Sequence, residues 1–91
     1  MTAARYAVKH VEVEAVRFDG SSTMLTAINR WIETGEYTEP SVATRDMRAI
    51  IFQTGEGDVT VEPGDWIIRD ALGEFYPCKP DIFAANFEAV S

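Results

Sequence analysis

The chain has 91 residues but only one cysteine, Cys78, and one histidine, His10. One cysteine excludes an internal disulfide, whereas small secreted domains usually depend on several. One histidine with one cysteine does not provide the ligand spacing of a zinc site, and the acidic residues lack that of a calcium loop. We therefore expect a reducing compartment and neither a metal nor another cofactor.

Long apolar runs are also missing. No segment approaches the roughly 20 apolar residues that span a bilayer, and residues 1–6 are not followed by the apolar core of a signal peptide. Together with the cysteine count, these absences predict a cytoplasmic protein that contacts no membrane. The length and the 46% hydrophobic content favour one folded domain over residues 1–91, with residues 1–9 as a flexible arm or a short edge strand.

Basic residues are scarce and unevenly placed. Six basic against seven acidic residues give residues 1–50 a net charge of −1, and two against eight give residues 51–91 a net charge of −6. Because nucleic-acid binding depends on basic groups that neutralise phosphates, we expect no direct contact with nucleic acid. The acidic half leaves three interpretations open: it keeps the protein soluble, it meets a basic partner, or it mimics nucleic acid.

The apolar side chains between Ser21 and Gly35 fall on one stripe of a helix with 3.6 residues per turn. They are Met24, Leu25, Ile28, Trp31 and Ile32. Residues 21–23 offer hydroxyl side chains for the N-cap, and Gly35 suits the left-handed position after the last turn. This pattern predicts an amphipathic helix over 23–34, followed by a polar loop over 36–45.

Alternating or short apolar runs bounded by turn residues predict six strands. The runs are 11–18, 47–54, 59–62, 66–69, 74–77 and 87–90. In the first run the alternation changes phase, which predicts either a bulge near Ala15 or burial on both faces. The second run is apolar on both faces and is expected to be a central strand. The turn residues 55–58 after it predict that the third run pairs with it as a hairpin. Pro77 stops the fifth run or places it at a sheet edge, and Pro80 begins a short second helix over 80–86.

The resulting order, β-α-β-β-β-β-α-β, has closely spaced turns in its second half, which favours an antiparallel meander. We expect an α+β fold in which a small, mostly antiparallel curled sheet or partly open barrel packs on the one amphipathic helix. A sheet with two free edges and a thin core also favours a homodimer.

The second half of the chain carries a long and specific string. It runs PGDWIIR over 63–69, GEFYPCKPDIF over 73–83, and Phe87-Glu88. This string resembles the C-terminal half of a family of small phage and prophage proteins of unknown function, and the run from Val11 to Gly20 is similar to their N-terminal strand. The chain departs from the pattern at Asp70, where the family tends to have glycine. The resemblance implies a phage or prophage origin, and it brings no established activity and no catalytic residues.

Three features of this half could carry chemistry. The segment 63–65 favours a turn over a ligand loop, because its proline presets φ and its glycine accepts positive φ. Its aspartate and Glu74 could form an acid–base pair if adjacent strands bring them together. Cys78 adjoins Lys79, and a neighbouring cation can lower the pKa of a thiol. Because a nucleophile also needs a base and His10 is distant in sequence, we expect a buried free cysteine and no enzyme.

Trp66 and Tyr76 are the first candidates for a binding surface, since both residue types are enriched at interfaces. The candidate interaction surface comprises Trp66, Arg69, Glu74, Tyr76 and Asp81. Arg69 is expected to form a surface ion pair with Asp70, Glu74 or Asp81.

The leading hypothesis is a non-enzymatic phage or prophage accessory protein that binds a host factor or joins a phage assembly. It follows from the small size, the resemblance and the lack of a catalytic constellation. One alternative is an acidic inhibitor that occupies the nucleic-acid site of a host nuclease or polymerase. Another is a module that binds or sequesters a nucleotide between helix and sheet, with Arg45, Arg48 and Arg69 as phosphate contacts.

Overall fold

The computed structural model describes residues 3–5, 11–42, 44–45, 49–54 and 57–90. Most of the predicted arm, the first residues of the predicted second strand and turn residues 55–56 lie outside this part of the chain. The elements are β1 (Glu14–Arg17), α1 (Ser22–Thr34), β2 (Ile50–Thr54), β3 (Gly57–Val61), β4 (Trp66–Arg69), β5 (Phe75–Cys78) and α2 (Pro80–Asn86).

The five strands form two antiparallel sheets that do not close into a barrel. In the three-stranded sheet β4 lies between β1 and β5, so that β5, with its proline, is at an edge. The predicted hairpin of β2 and β3 forms the second sheet, and β2 lies beside β5. The α+β fold with a small, open, curled antiparallel sheet is therefore confirmed, whereas the central strand is β4 and not β2.

β1 pairs with β4 in an unbroken register that places Glu14 opposite Arg69. No bulge interrupts it. Ala15 and Val16 point to opposite faces of the sheet, and both are half-buried. The change of phase in the sequence therefore reflects burial on both faces, the second of the two predicted alternatives.

α1 has the predicted start and end. The Ser21 hydroxyl accepts a hydrogen bond from the Met24 amide at 3.1 Å and so caps the first turn. Gly35 has a φ of 79°, and its amide donates to the Trp31 carbonyl at 2.7 Å. Met24, Ile28 and Trp31 are buried, as the apolar stripe predicts, whereas Leu25 is only half-buried and Ile32 is 37% exposed.

The main core lies between α1 and one face of the three-stranded sheet, termed the α1 face. This face carries Val16, Ile67, Arg69 and Phe75. The buried core residues are Phe18, Met24, Ile28, Trp31, Val61 and Ile67. Trp31 meets Phe75 edge-to-face at a centroid distance of 4.9 Å, a favourable aromatic geometry that locks α1 onto the sheet.

The opposite face of this sheet, termed the α2 face, carries Trp66, Ile68, Tyr76 and Cys78. Phe83 of α2 stacks on Trp66 with the ring centroids 3.9 Å apart. Ile68 is fully buried on this face. The three-stranded sheet therefore has a helix on each side.

The predicted closing strand over 87–90 does not form. Phe87 has extended backbone, with φ −127° and ψ 149°, but in the described part of the chain no strand pairs with residues 87–90. The Phe87 ring instead packs on Phe83 at a centroid distance of 5.1 Å. Alternating residues favour extended backbone, but a strand also needs a free edge beside it, and here an aromatic contact anchors the segment instead.

Candidate interaction surface

The turn between β4 and β5 is organised by Asp70. Its Oδ1 accepts hydrogen bonds from the amides of Leu72 and Glu74, each at 3.0 Å. Its backbone carbonyl accepts from the Gly73 amide at 3.0 Å, and Gly73 has a φ of 82°. An aspartate that bonds the backbone two residues on is a standard turn-former, so Asp70 fits a turn where the phage pattern tends to have glycine.

This ordered turn presents an apolar side chain to solvent. Leu72 is 86% exposed, more than any other large apolar residue in the described part of the chain. Tyr76 is 37% exposed on β5. Burial first, and then the carboxylate of Asp70, raise the pKa of Tyr76 above its ordinary value. Leu72, the exposed Glu74 and Tyr76 are termed the hairpin surface.

The structure divides the predicted interaction surface. Glu74 and Tyr76 belong to the hairpin surface. Trp66 is a diagonal neighbour of Tyr76 on the α2 face, a spacing of about 7–8 Å between Cα atoms, but its ring is half-buried under Phe83. Asp81 is exposed in the first turn of α2. Trp66 and Tyr76 therefore share a face, but only Tyr76 is substantially open to a partner.

Arg69 does not belong to this surface. It lies on the α1 face, where its guanidinium donates to the Gly35 carbonyl at 3.0 Å and lies 3.6 Å from the Glu14 carboxylate. The predicted pairing with Asp70, Glu74 or Asp81 is therefore wrong. Since residues 66 and 69 are an odd number of positions apart on one strand, their side chains must point to opposite faces. Arg69 serves to tie the end of α1 to the sheet.

Sequence reasoning missed Leu72. The sequence feature that could have identified it is a large apolar residue in the segment 70–73, which otherwise favours a turn. Turn residues are usually polar or glycine, so an apolar side chain there has no core to enter. A large apolar residue at a predicted turn position is therefore a candidate for contact with another molecule.

The segment 63–65 forms the predicted turn. Asp65 donates its amide to the Glu62 carbonyl at 3.0 Å, and Gly64, with φ 98°, donates to the Phe18 carbonyl at 2.7 Å. The Asp65 side chain is only 6% exposed, and its Oδ2 accepts from the Glu62 amide at 2.9 Å and from Lys79 Nζ at 2.8 Å. The turn therefore joins the end of β1 to the start of α2.

The surroundings of Cys78 do not lower the pKa of its thiol, although the next residue, Lys79, is a cation. The Lys79 ammonium is bonded to Asp65, while burial first and then the carboxylates of Asp81 and Asp65 raise the pKa of the Cys78 thiol. The protonated thiol is the poorly nucleophilic form. Asp65 and Glu74 lie at opposite ends of the β4–β5 hairpin, so they do not form an acid–base pair.

Neither of two surface cavities brings together the described arginines among the proposed phosphate contacts, Arg45 and Arg69. An open cavity of about 370 Å³ adjoins Arg69, but its other charged lining residues are all acidic: Glu12, Glu14 and Asp70. Another, of about 470 Å³, lies against α1, and Arg30 is the one cation among its described lining residues. Arg45 is exposed, and Arg48 lies outside the described residues. Among the described residues, neither cavity has the cationic lining that a nucleotide phosphate requires.

The acidic side chains occupy separate places. Glu62, Asp65 and Asp81 surround Lys79, whose pKa is raised by its bond to Asp65 and by the field of all three. Asp70 and Glu74 lie at the far end of the β4–β5 hairpin. These five acids form two separate groups, one of them partly neutralised by Lys79, and this arrangement lends no support to a nucleic-acid mimic.

Two kinds of feature are absent from the described residues. No three His, Cys, Asp or Glu side chains are grouped as a metal ion would need, and no described helix is long and apolar enough to cross a bilayer. In comparisons with known proteins, no family model, no curated protein and no solved structure matches the chain. The resemblance to phage proteins therefore stays a prediction from the motifs.

Proposed function

We propose that this protein is a non-enzymatic accessory protein, of phage or prophage origin, that acts by binding another protein through the hairpin surface. The partner is a host factor or a component of a phage assembly. The proposed origin is supported by the string over 63–83, and the proposed mode of action by the hairpin surface.

The exposed Leu72 carries the proposal. Its turn is held by four hydrogen bonds, two to the Asp70 carboxylate and two between backbone groups of the turn residues. An apolar side chain on a preorganised turn loses little conformational freedom when it enters a partner's pocket, so more of the burial energy appears as affinity. Full burial of a leucine side chain is worth about 1.5–3 kcal/mol.

Tyr76 and Glu74 support the same surface. Tyrosine contributes both apolar area and a hydroxyl, a combination enriched in interface centres. The phenol of a tyrosine is protonated at neutral pH, so this hydroxyl can donate. Glu74 supplies a charge at the rim, where charges set orientation and association rate more than affinity.

The test is capture of host and phage proteins on the immobilised chain, with Leu72→Asn as the diagnostic variant and Val42→Asn as its matched control. Both side chains are at least 70% exposed, so neither substitution disturbs the core. We expect one stoichiometric partner, identified by mass spectrometry, that binds wild type and Val42→Asn alike. Leu72→Asn should weaken binding of that partner by roughly 30-fold or more, the size of an interface hot spot.

Two outcomes would count against the proposal. Equal capture by the Leu72→Asn variant and the wild type would remove the hairpin surface from the interaction. No stoichiometric partner, under conditions where a known binder is recovered, would remove the proposed mode of action. A partner that is retained only at low salt would instead indicate a contact with a basic protein that depends on charge and is screened by salt.

A further inference from the structure

The open cavity of about 370 Å³ lies beside Leu72, the most exposed side chain of the hairpin surface. Ala71 and Gly73, the residues before and after Leu72 in the chain, both belong to the lining of this cavity. Its volume lies within the range of about 300–1,000 Å³ that is usual for ligand pockets. A partner that buries Leu72 therefore lies over the cavity and can place a side chain in it.

Acidic side chains outnumber basic ones around this cavity and the β4–β5 turn. Four acids, termed the acidic rim, lie here: Glu12, Glu14, Asp70 and Glu74. Three of them line the cavity, and the fourth, Glu74, donates its amide to the Asp70 carboxylate. Arg69 is the only cation in the described lining, and it already contacts the Glu14 carboxylate at 3.6 Å. The four acids and this one base leave a formal charge of −3 around Leu72.

Two carboxylates of the acidic rim are available to a partner. Glu12 and Glu74 are exposed, and in the described part of the chain neither carboxylate forms a hydrogen bond or an ion pair. No three described acids are grouped as a metal ion would need. The negative charge is therefore spread around an apolar side chain, which matches several cationic side chains around a pocket better than it matches a single ion.

The cavity of about 470 Å³ beside α1 lacks this bias in charge. Its described lining includes one exposed apolar side chain, Val42, and only two charged ones, Arg30 and Glu39, whose charges cancel. Leu72 and Val42 are therefore two exposed apolar side chains that differ in the charge around them. A partner of Leu72 is selected by charge as well as by shape, whereas a partner of Val42 is not.

We propose, on the basis of the binding function given to the hairpin surface, that its partner is a protein with an apolar pocket edged by arginine side chains. The pocket receives Leu72, and the arginines bond the acidic rim, one of them from within the cavity. Arginine fits better than lysine because its planar guanidinium bonds a carboxylate through two N–H groups and is less strongly hydrated. The opposite charges speed association and exclude acidic partners.

The test is a selection of antibody fragments with randomised loops on the immobilised protein. Fragments whose binding is lost with Leu72→Asn use the hairpin surface, and those whose binding is lost with Val42→Asn provide the matched control. We expect arginine to be enriched in the loops of the Leu72-dependent fragments, relative both to the Val42-dependent fragments and to the starting library. Acidic residues should be depleted in the same loops, because the acidic rim repels them.

Charge variants measure the contribution of the acidic rim directly. Glu12→Gln/Glu74→Gln should weaken the Leu72-dependent fragments by about tenfold or more, as the loss of one charge-assisted hydrogen bond does, and should make their affinity less sensitive to salt. Glu33→Gln/Glu88→Gln removes the same charge from exposed positions outside the rim and should leave the affinity nearly unchanged. A Leu72-dependent partner from the capture experiment should respond in the same way.

The outcomes separate this proposal from the proposed function. Leu72-dependent fragments without an excess of arginine, or a Leu72-dependent partner that binds Glu12→Gln/Glu74→Gln as tightly as wild type, would overturn the chemistry assigned to the partner and leave the hairpin surface as the binding site. A library that yields Val42-dependent fragments but none dependent on Leu72 would overturn the hairpin surface itself. Circular dichroism checks the fold of all four variants.

Discussion

Asp65 joins three segments of the chain at one residue. Its carbonyl accepts from the Phe18 amide at 2.8 Å, while its carboxylate accepts from the Glu62 amide and from Lys79. The residue is 4% exposed, so the charge is stable there only because both contacts are made. The two side chains of the Lys79–Asp65 pair differ in burial, since that of Lys79 is 49% exposed. The stabilising role therefore belongs chiefly to the aspartate.

We expect Asp65→Ala to lower the free energy of unfolding by about 1–3 kcal/mol, because it leaves the Glu62 amide without its acceptor. Asp65→Asn keeps an acceptor for that amide and should cost less. Lys79→Met should also destabilise the protein, because it leaves the buried Asp65 carboxylate with only one of its two contacts. Urea denaturation of the three variants gives the ranking, and an asparagine variant less stable than Asp65→Ala would contradict it.

At the scale of elements, α2 is the least integrated part of the described fold. Its seven residues include none that is buried. Its contacts to the sheet are the stack of Phe83 on Trp66 and the Lys79–Asp65 bond at its N-cap. A helix this short has little stability of its own, so these contacts hold it in place.

We expect Phe83→Ala to detach α2 without unfolding the protein, because the core between α1 and the sheet does not include Phe83. Aromatic pairs contribute about 0.5–1.5 kcal/mol beyond their burial. Hydrogen exchange followed by mass spectrometry should show faster exchange over 80–86 and unchanged exchange in β4. Ile32→Ala, an exposed position on α1, is the control. Faster exchange throughout the molecule would show instead that α2 is part of the cooperative core.

The elements that were predicted correctly are those whose sequence signals lie within the element itself or beside it. α1 has a capping hydroxyl, an apolar stripe and Gly35, all within its own span, so no distant residue had to be known. The closing strand over 87–90 was wrong because pairing depends on a free edge supplied by another part of the chain. The choice of β2 as the central strand failed for the same reason: an apolar run shows a preference for burial, not its position in a sheet.

At the scale of the whole molecule, stability should fall in alkali. Burial first, and then the hydrogen bond to Glu39, raise the pKa of Tyr37 well above its ordinary value of 10.0, and the bond to Asp65 raises that of Lys79 above 10.5. The folded state therefore holds protons that the unfolded state releases. This contribution is fully present below about pH 10 and is lost as the pH rises through the folded-state pKa values.

The measurement is urea denaturation from pH 8 to 11, with phenolate absorbance recorded in parallel. The free energy of unfolding should decrease above about pH 10. Tyr37→Phe removes one of the titrating groups and should give a shallower decrease than wild type. The growing negative charge of an already acidic chain adds to the decrease in both proteins. A free energy of unfolding that rises between pH 9 and 11 would contradict the raised pKa values of Tyr37 and Lys79 in the folded state.

The sequence by itself determined α1, the turn over 63–65, the β2–β3 hairpin and the α+β class, because each depends on neighbours in the chain. Part of the candidate surface could also be predicted: Glu74 and Tyr76 lie on the hairpin surface, whereas Arg69 does not and Leu72 was missed. Only the tertiary structure decided which apolar side chains are covered. Ile68 and Ile51 both lie in apolar strands, yet Ile68 is fully buried and Ile51 is 61% exposed. Burial depends on what distant segments place over a face, and that information is not local to either strand.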